Sequence, residues 1–159
     1  MHRNLLKTAT ALAKRTPTRP LNSDSRRAVS TAYYAMFHCL SKFCADNFIG
    51  VARAGRTERA WAQTYRALNH GAVKNACKTC SEQLGTGAGF PQDIIDFASF
   101  FVTMQQERHD ADYNPLKRYK REDVLLLISS AQIAIENFEN AEIKHKKAFA
   151  ALILFGNRK

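Results

Sequence analysis

The sequence predicts an all-α fold, an antiparallel bundle of four to five helices. Three observations carry that reading. Apolar residues recur every three or four positions over long stretches, the spacing that collects them on one face of a helix. No segment alternates apolar and polar residues as a half-buried strand does. Most glycines and prolines fall between the periodic stretches, where chain reversals need them. At 159 residues the chain suits a single domain, 1–159, with a substantial core.

The elements follow in order. Residues 3–15 form a short amphipathic helix with Leu5, Leu6, Ala9 and Leu12 (or Ala13) on its apolar face, stopped by Pro17 and Pro20. Ser23 or Asp24 caps the next helix, because a short oxygen-bearing side chain accepts from the free amides of a first turn. That helix runs to about Phe48, with Gly50 at its end. Its stripe is Val29, Ala32 or Tyr33, Met36 or Phe37, Leu40, Phe43 or Cys44, and Phe48. A third helix spans about 57–84, capped by Thr57, with Trp61, Tyr65, Leu68, Val73 and Cys77 turned inward and Gly71 as the point of bending or breakage.

Residues 85–90 form a glycine-rich loop, which no strand precedes and no Gly-Lys-Ser/Thr follows, so it is not a phosphate cradle. Pro91 suits the first turn of the fourth helix, and Asn114-Pro115 ends it. Glu122 or Asp123 starts a long fifth helix whose stripe is Val124, Leu127, Ile128, Ala131, Ile135 and Phe138, continuing to Phe149.

A net charge of +10 is the unusual feature of the composition. Basic residues cluster at Lys14, Arg15, Arg19, Arg26 and Arg27, at Arg53, Arg56 and Arg59, at Lys117, Arg118, Lys120 and Arg121, and at Lys144, Lys146 and Lys147. Such an excess favours polyanionic partners, nucleic acid before a membrane surface. No apolar run reaches the roughly 18 residues of a membrane span. The run Ala148–Phe155 is flanked by basic residues and is too short; it caps the core, docks a partner or lies against an acidic surface. The first residues lack the apolar core of a secretory signal, and a cytoplasmic protein is expected.

The most informative stretch is Arg108-His-Asp-Ala-Asp-Tyr-Asn-Pro115. Ile94, Phe97, Phe101, Met104, Arg108 and Asp112 share one helical face that is apolar until its last turn and then ionic. Arg and Asp are rarely buried unless paired, so this face should end at a partner, a cleft or a subunit boundary. Two readings of the pair stand. Either Arg108 contacts phosphate and Asp112 orients it, or the two form an i, i+4 ion pair that closes a bundle end.

Two segments resemble a known family. Arg27-Ala-Val-Ser-Thr-Ala-Tyr-Tyr-Ala-Met-Phe-His38 resembles the R-A-x-x-x-A-Y-Y-A-x-F-H helix of HEPN domains (higher eukaryotes and prokaryotes nucleotide-binding). Arg108-His-Asp-Ala-Asp-Tyr113 resembles the R-x-x-A-D-Y segment that follows it in one bacterial and archaeal branch. The resemblance implies a four- or five-helix bundle that forms a homodimer, with Arg108 near a cleft at the dimer interface. It further implies the ribonuclease-type toxin component of a toxin–antitoxin pair, a metal-independent endoribonuclease neutralised by a partner of the minimal nucleotidyltransferase type. The toxin branch carries a His four to six residues after its Arg. Here His109 follows Arg108 directly, the next is His145, and Tyr113 stands where that His would fall, so the site is non-standard.

The candidate catalytic residues are therefore Arg108, His109, Asp112 and Tyr113. Arg108 is a cation for phosphate; His109 is of the residue type suited to proton transfer but points about 100° away round the helix. Candidate nucleic-acid contacts are Arg26, Arg27, Tyr34, Lys117, Arg118 and Lys120, with Tyr119 among the last three as a stacking surface. Tyr33 and Tyr34 point about 100° apart, so one lies in the core while the other can offer its hydroxyl toward Arg108, or both pack in the bundle; His38, on the face of Tyr34, approaches the same cleft or is a half-buried packing residue. Cys77 and Cys80 have the gap of a zinc knuckle or redox pair, yet helical packing alone puts them on one face, and Cys39 and Cys44 do not converge. All four are expected to be reduced core thiols, with no metal or cofactor. The expected function is RNA or nucleotide binding, with or without cleavage. The alternative is a non-catalytic interaction module that docks a partner through an exposed C-terminal segment, 148–159.

Overall fold

The computed structural model describes residues 1–16, 21–82 and 89–156. Pro17, Pro20, most of the glycine-rich loop and the last three residues of the 148–159 segment lie outside them. The described chain is all-helical: α1 (His2–Lys14), α2 (Asn22–Ile49), α3 (Glu58–Ala67), α4 (His70–Glu82), α5 (Gln92–Tyr113), α6 (Arg121–Asn140) and α7 (Ile143–Phe155), with a single 3-10 turn at Arg53–Gly55. No described helix is long and apolar enough to cross a membrane.

Seven helices replace the expected four to five because two long predicted helices each break. The third breaks just before Gly71, at Leu68, whose backbone is extended. The cause is Asn69: its side chain accepts from the Ala72 amide at 2.7 Å and so caps a new helix start. The fifth breaks at Ala141, also extended and with neither glycine nor proline beside it. Here packing decides. Phe149 lies 11 positions after Phe138, and a straight helix would separate them by about 16 Å. The turn at Ala141 folds α7 back until the two rings are 6.3 Å apart, and Lys146 Nζ donates to the Glu139 carbonyl freed by the break at 2.6 Å.

Helix ends follow local chemistry with small displacements. Thr57 caps α3, its hydroxyl accepting from the Ala60 amide, and Gly50 closes α2 at φ +115°, a conformation that glycine alone adopts without strain. Asn114 ends α5 with an extended backbone. Ser23 and Asp24 do not cap α2; the helix begins one residue earlier, and Asp24 sits in its first turn, where the helix dipole favours an acid. Pro91 holds the cap position of α5 rather than its first turn. Arg121 precedes Glu122 and Asp123 at the start of α6.

α2 is the central element, packed against α1, α3, α5, α6 and α7. Val29, Ala32, Tyr33, Met36, Phe37, Leu40 and Cys44 are buried on it, whereas Phe48 lies exposed beyond the core. Leu6, Ala9 and Ala13 of α1, Val73 and Cys77 of α4, Ile94, Phe97, Phe101 and Met104 of α5, and Val124, Ile128, Ala131, Ile135 and Phe138 of α6 complete one contiguous core. Trp61 and Tyr65 are only half-buried. Phe149, Ala150 and Ile153 of α7 are buried, so this part of the C-terminal apolar segment caps the core. Of its large side chains Phe155 remains exposed, 6.2 Å from Phe48.

Phe138 meets Phe43, Phe97 and Phe149 and so ties α2, α5 and α7 to α6. Phe138→Ala should destabilise the fold by about 3–5 kcal/mol, whereas Phe155→Ala should cost about 0.5 kcal/mol or less. Urea unfolding followed by circular dichroism measures both; a Phe138→Ala cost as small as that of Phe155→Ala would show that the Phe138 cluster does not hold these helices together.

Candidate functional site

The last turn of α5 meets the first turns of α2, and a shallow groove of about 620 Å³ opens there. Its walls are Asn22, Ser23, Arg26, Arg27 and Tyr34 from α2 and Arg108, Ala111, Asp112 and Tyr113 from α5. Six residues singled out by sequence therefore share one concavity, and it carries three arginines against one aspartate.

Arg108 is the centre of it. Its Nε lies 2.8 Å from Asp112 Oδ2, one helical turn on. The N–H is not directed at that oxygen, so the contact is an ion pair rather than an aligned hydrogen bond. Asp112 Oδ1 accepts from the Ser30 hydroxyl of α2 at 2.6 Å, which fixes the carboxylate across the helix interface. Arg108 Nη2 donates to the Tyr34 hydroxyl at 3.2 Å, and the guanidinium carbon lies 5.7 Å from the ring centres of both Tyr34 and Tyr113. Within this cage the guanidinium is desolvated, but Tyr34, Asp112 and Tyr113 outweigh that and hold its pKa above the usual arginine value. The Arg108 and Asp112 side chains remain 22% and 26% exposed, open on the groove side. Arg26 braces the same corner by donating to the Ala111 carbonyl at 2.6 Å.

The other predicted residues are placed less uniformly. His109 is outside the groove walls, 63% exposed, with its ring 5.1 Å from that of Tyr113. Lys117 is paired with Glu107 at 3.2 Å and lies over the Tyr119 ring. Tyr119 is not a free stacking surface: it packs against the core with its hydroxyl 3.0 Å from Glu107, and burial with that carboxylate pushes its pKa up. Arg118 and Lys120 are exposed beyond the groove. All four cysteines are buried free thiols.

Behind Tyr34 stands a polar aromatic layer. Tyr33 is fully buried and its hydroxyl meets His70 Nδ1 at 2.7 Å, while the Tyr65 hydroxyl meets His38 Nδ1 at 2.6 Å. The His70 ring lies 5.8 Å from that of Tyr34 and 4.2 Å from that of Phe37. Burial raises the Tyr33 pKa, so the phenol keeps its proton, and the direction of its hydrogen bond to His70 Nδ1 follows the tautomer of the ring. Burial first, then the Arg108 and His38 charges, lower the His70 pKa. His38 shifts the same way, by burial and then by the N-terminal amine and His2. Sequence reasoning missed His70 altogether; it stands isolated in the chain, at the start of the helix that follows the break at Leu68.

The chain matches no protein-family model, no curated protein and no solved structure. The groove must therefore be read from its own chemistry. A guanidinium held by an aspartate, with two more arginines beside it and aromatic rings on its walls, suits a phosphate or another planar or tetrahedral anion. It offers no histidine on its walls for proton transfer within one chain.

The half-buried His38 and His70, together with the buried His2, set a pH dependence. Their folded pKa values lie below the 6.5 of an unfolded histidine, so protons favour the unfolded chain. The stability they contribute is complete above about pH 6.5 and is lost as pH falls below it. The melting temperature should drop from about pH 7 to about pH 5, and His70→Gln, which keeps a hydrogen-bond partner for Tyr33, should make the drop smaller. An unaltered pH profile in that variant would exclude His70 from the linkage.

Proposed function

We propose that this protein binds RNA or a nucleotide through the Arg108 groove, as a helical homodimer of the HEPN type. Arg108 contacts phosphate, Asp112 and Ser30 orient it, Arg26 and Arg27 extend the positive wall, and Tyr34 and Tyr113 give the sugar or base an aromatic surface. The observation that carries the reading is the Arg108–Asp112 pair itself: it lies at the mouth of a basic concavity rather than sealing a dry bundle end. The net charge of +10 adds a long-range attraction for the same class of ligand.

In its stronger form the reading is the ribonuclease-type toxin component of a toxin–antitoxin pair, restrained by a nucleotidyltransferase-type antitoxin. Its support is the resemblance of the 27–38 and 108–113 segments and the exposed position of His109 at the groove's edge, from which a second copy could place it near a bound phosphate. Cleavage by such a site needs a proton acceptor, a proton donor and a cation. Arg108 supplies the cation, and His109 and Tyr113 are the candidates for the proton steps.

Binding of a labelled single-stranded RNA, measured by anisotropy across a salt series, tests the first form. Arg108→Ala should weaken binding about tenfold or more and reduce the salt slope by about one contact, with the helical spectrum intact. Lys120→Ala, outside the groove, should change affinity by less than about threefold. Equal affinities for the wild type and Arg108→Ala would rule out the groove. Growth arrest and RNA degradation on expression of the wild type but not of Arg108→Ala would establish the stronger form, and their absence would leave a binding protein.

A further inference from the structure

We infer that His2, Cys39 and Glu139 form a binding site for a zinc-class divalent cation, separate from the groove, with three protein ligands and a fourth position open to the adjoining cavity. His2 opens α1, Cys39 lies in the middle of α2, and Glu139 is next to last in α6. One donor atom from each lies within 4.8 Å of the other two. Imidazole, thiolate and carboxylate are the donor set of zinc. Bonds of about 2.0–2.3 Å in a tetrahedron put donor atoms about 3.3–3.7 Å apart, so closure requires side-chain shifts of about 1 Å.

The surroundings suit the ion. His2 and Cys39 are 8% and 4% exposed, and His2 Nδ1 is buried with no hydrogen-bond partner among the described residues. His2 Nε2 stands 3.0 Å from Glu139 Oε1, a gap bridged by a proton. The other carboxylate oxygen, Oε2, accepts from Arg3 at 2.9 Å, the kind of outer contact that aims a metal-binding carboxylate. The neighbouring cations are already engaged: Lys42 with Asp46, and Lys146 with the Glu139 carbonyl.

A cavity of about 370 Å³, bordered by His2, Cys39 and Glu139, gives an entry path and room for a water as fourth ligand. Burial holds the Cys39 thiol protonated without metal, its pKa pushed up to about 12. Binding therefore breaks the S–H bond and displaces the proton shared by His2 and Glu139; S–metal, N–metal and O–metal bonds form, the ring's proton moves to Nδ1, and the thiol proton goes to solvent, with no change of oxidation state. Among the described residues no other three such side chains converge; Cys77 and Cys80 have no third partner of this kind. The three ligands come from three helices, so the ion would pin the start of α1 to α2 and α6.

The full chain, stripped with a chelator, is titrated with Co²⁺ and then with Zn²⁺. One equivalent of Co²⁺ should bring up a thiolate-to-metal band in the near ultraviolet, Zn²⁺ should displace it, and the melting temperature should rise with metal concentration. Cys39→Ala should abolish the band, Cys77→Ala should leave it, and His2→Ala should weaken metal binding more than about tenfold. No band and no thermal shift, or a band that survives Cys39→Ala, would overturn the site. Should Cys39→Ala lose its helical spectrum, His2→Ala decides, since that ring lies in the first turn of α1 rather than in the middle of α2: unchanged affinity there overturns the site equally.

Discussion

A 28-residue helix that must hide nearly its whole circumference governs this molecule. Apolar side chains line α2 on every side through its middle, and a helix apolar all round is stable in water only when neighbours enclose it. Five other helices do so. The enclosure explains the later of the two breaks in long helical runs: a straight α6 would leave one side of Phe138 uncovered, and turning at Ala141 lets Phe149 close it. The same demand brings polar groups of α2 into the interior, where they need partners. Ser41 bonds back to the Phe37 carbonyl, Tyr33 finds His70, and Ser30 finds Asp112.

Those partners connect the core to the groove. Ser30 and Tyr34 lie four positions apart and so on one face of α2. Through them α2 holds both members of the Arg108–Asp112 pair, the first by the carboxylate and the second by the guanidinium. Tyr34 in turn rests edge-on against Tyr33 and His70. The His70 ring is kept neutral by burial and by the positive charge of Arg108, and a neutral ring can pair with Tyr33 without repelling the guanidinium. The position of Arg108 is thus set by rigid helical elements rather than by a loop, the arrangement that keeps a binding group in place.

Much of this was legible in the sequence because helical periodicity and end chemistry act locally. The α5 stripe from Ile94 to Met104 is buried as its spacing requires, and Thr57, Gly50 and Asn114 end or start helices by interactions within four residues. The pairing of Arg108 with Asp112 is equally local, one turn apart. What was illegible depends on contacts distant in sequence. The break at Ala141 answers a packing demand that no neighbouring residue encodes. Asn69 could be read as a cap only by someone expecting a break there, and Gly71 drew attention instead. Tyr119 looked like a stacking residue in a basic run; its partner Glu107 lies on the helix before. His2 and Glu139 are 137 positions apart, beyond any spacing rule.

The half-exposed ion pair is the last point of physical interest. A pair exposed on a helix surface contributes a few tenths of a kcal/mol, and a buried one often stabilises no better than apolar residues of the same size. Neither would account for the further connections made here: a serine from the core helix fixing the aspartate, a tyrosine hydroxyl accepting an arginine N–H, and a second tyrosine ring beside the guanidinium. Stability alone could be met by placing a leucine on the same stripe. The extra contacts instead restrict the direction of the guanidinium while leaving part of it facing the groove. An orientation held against side-chain entropy, with Arg26 and Arg27 on the same wall, lowers the ordering cost that a mobile arginine would bear when an anion arrives.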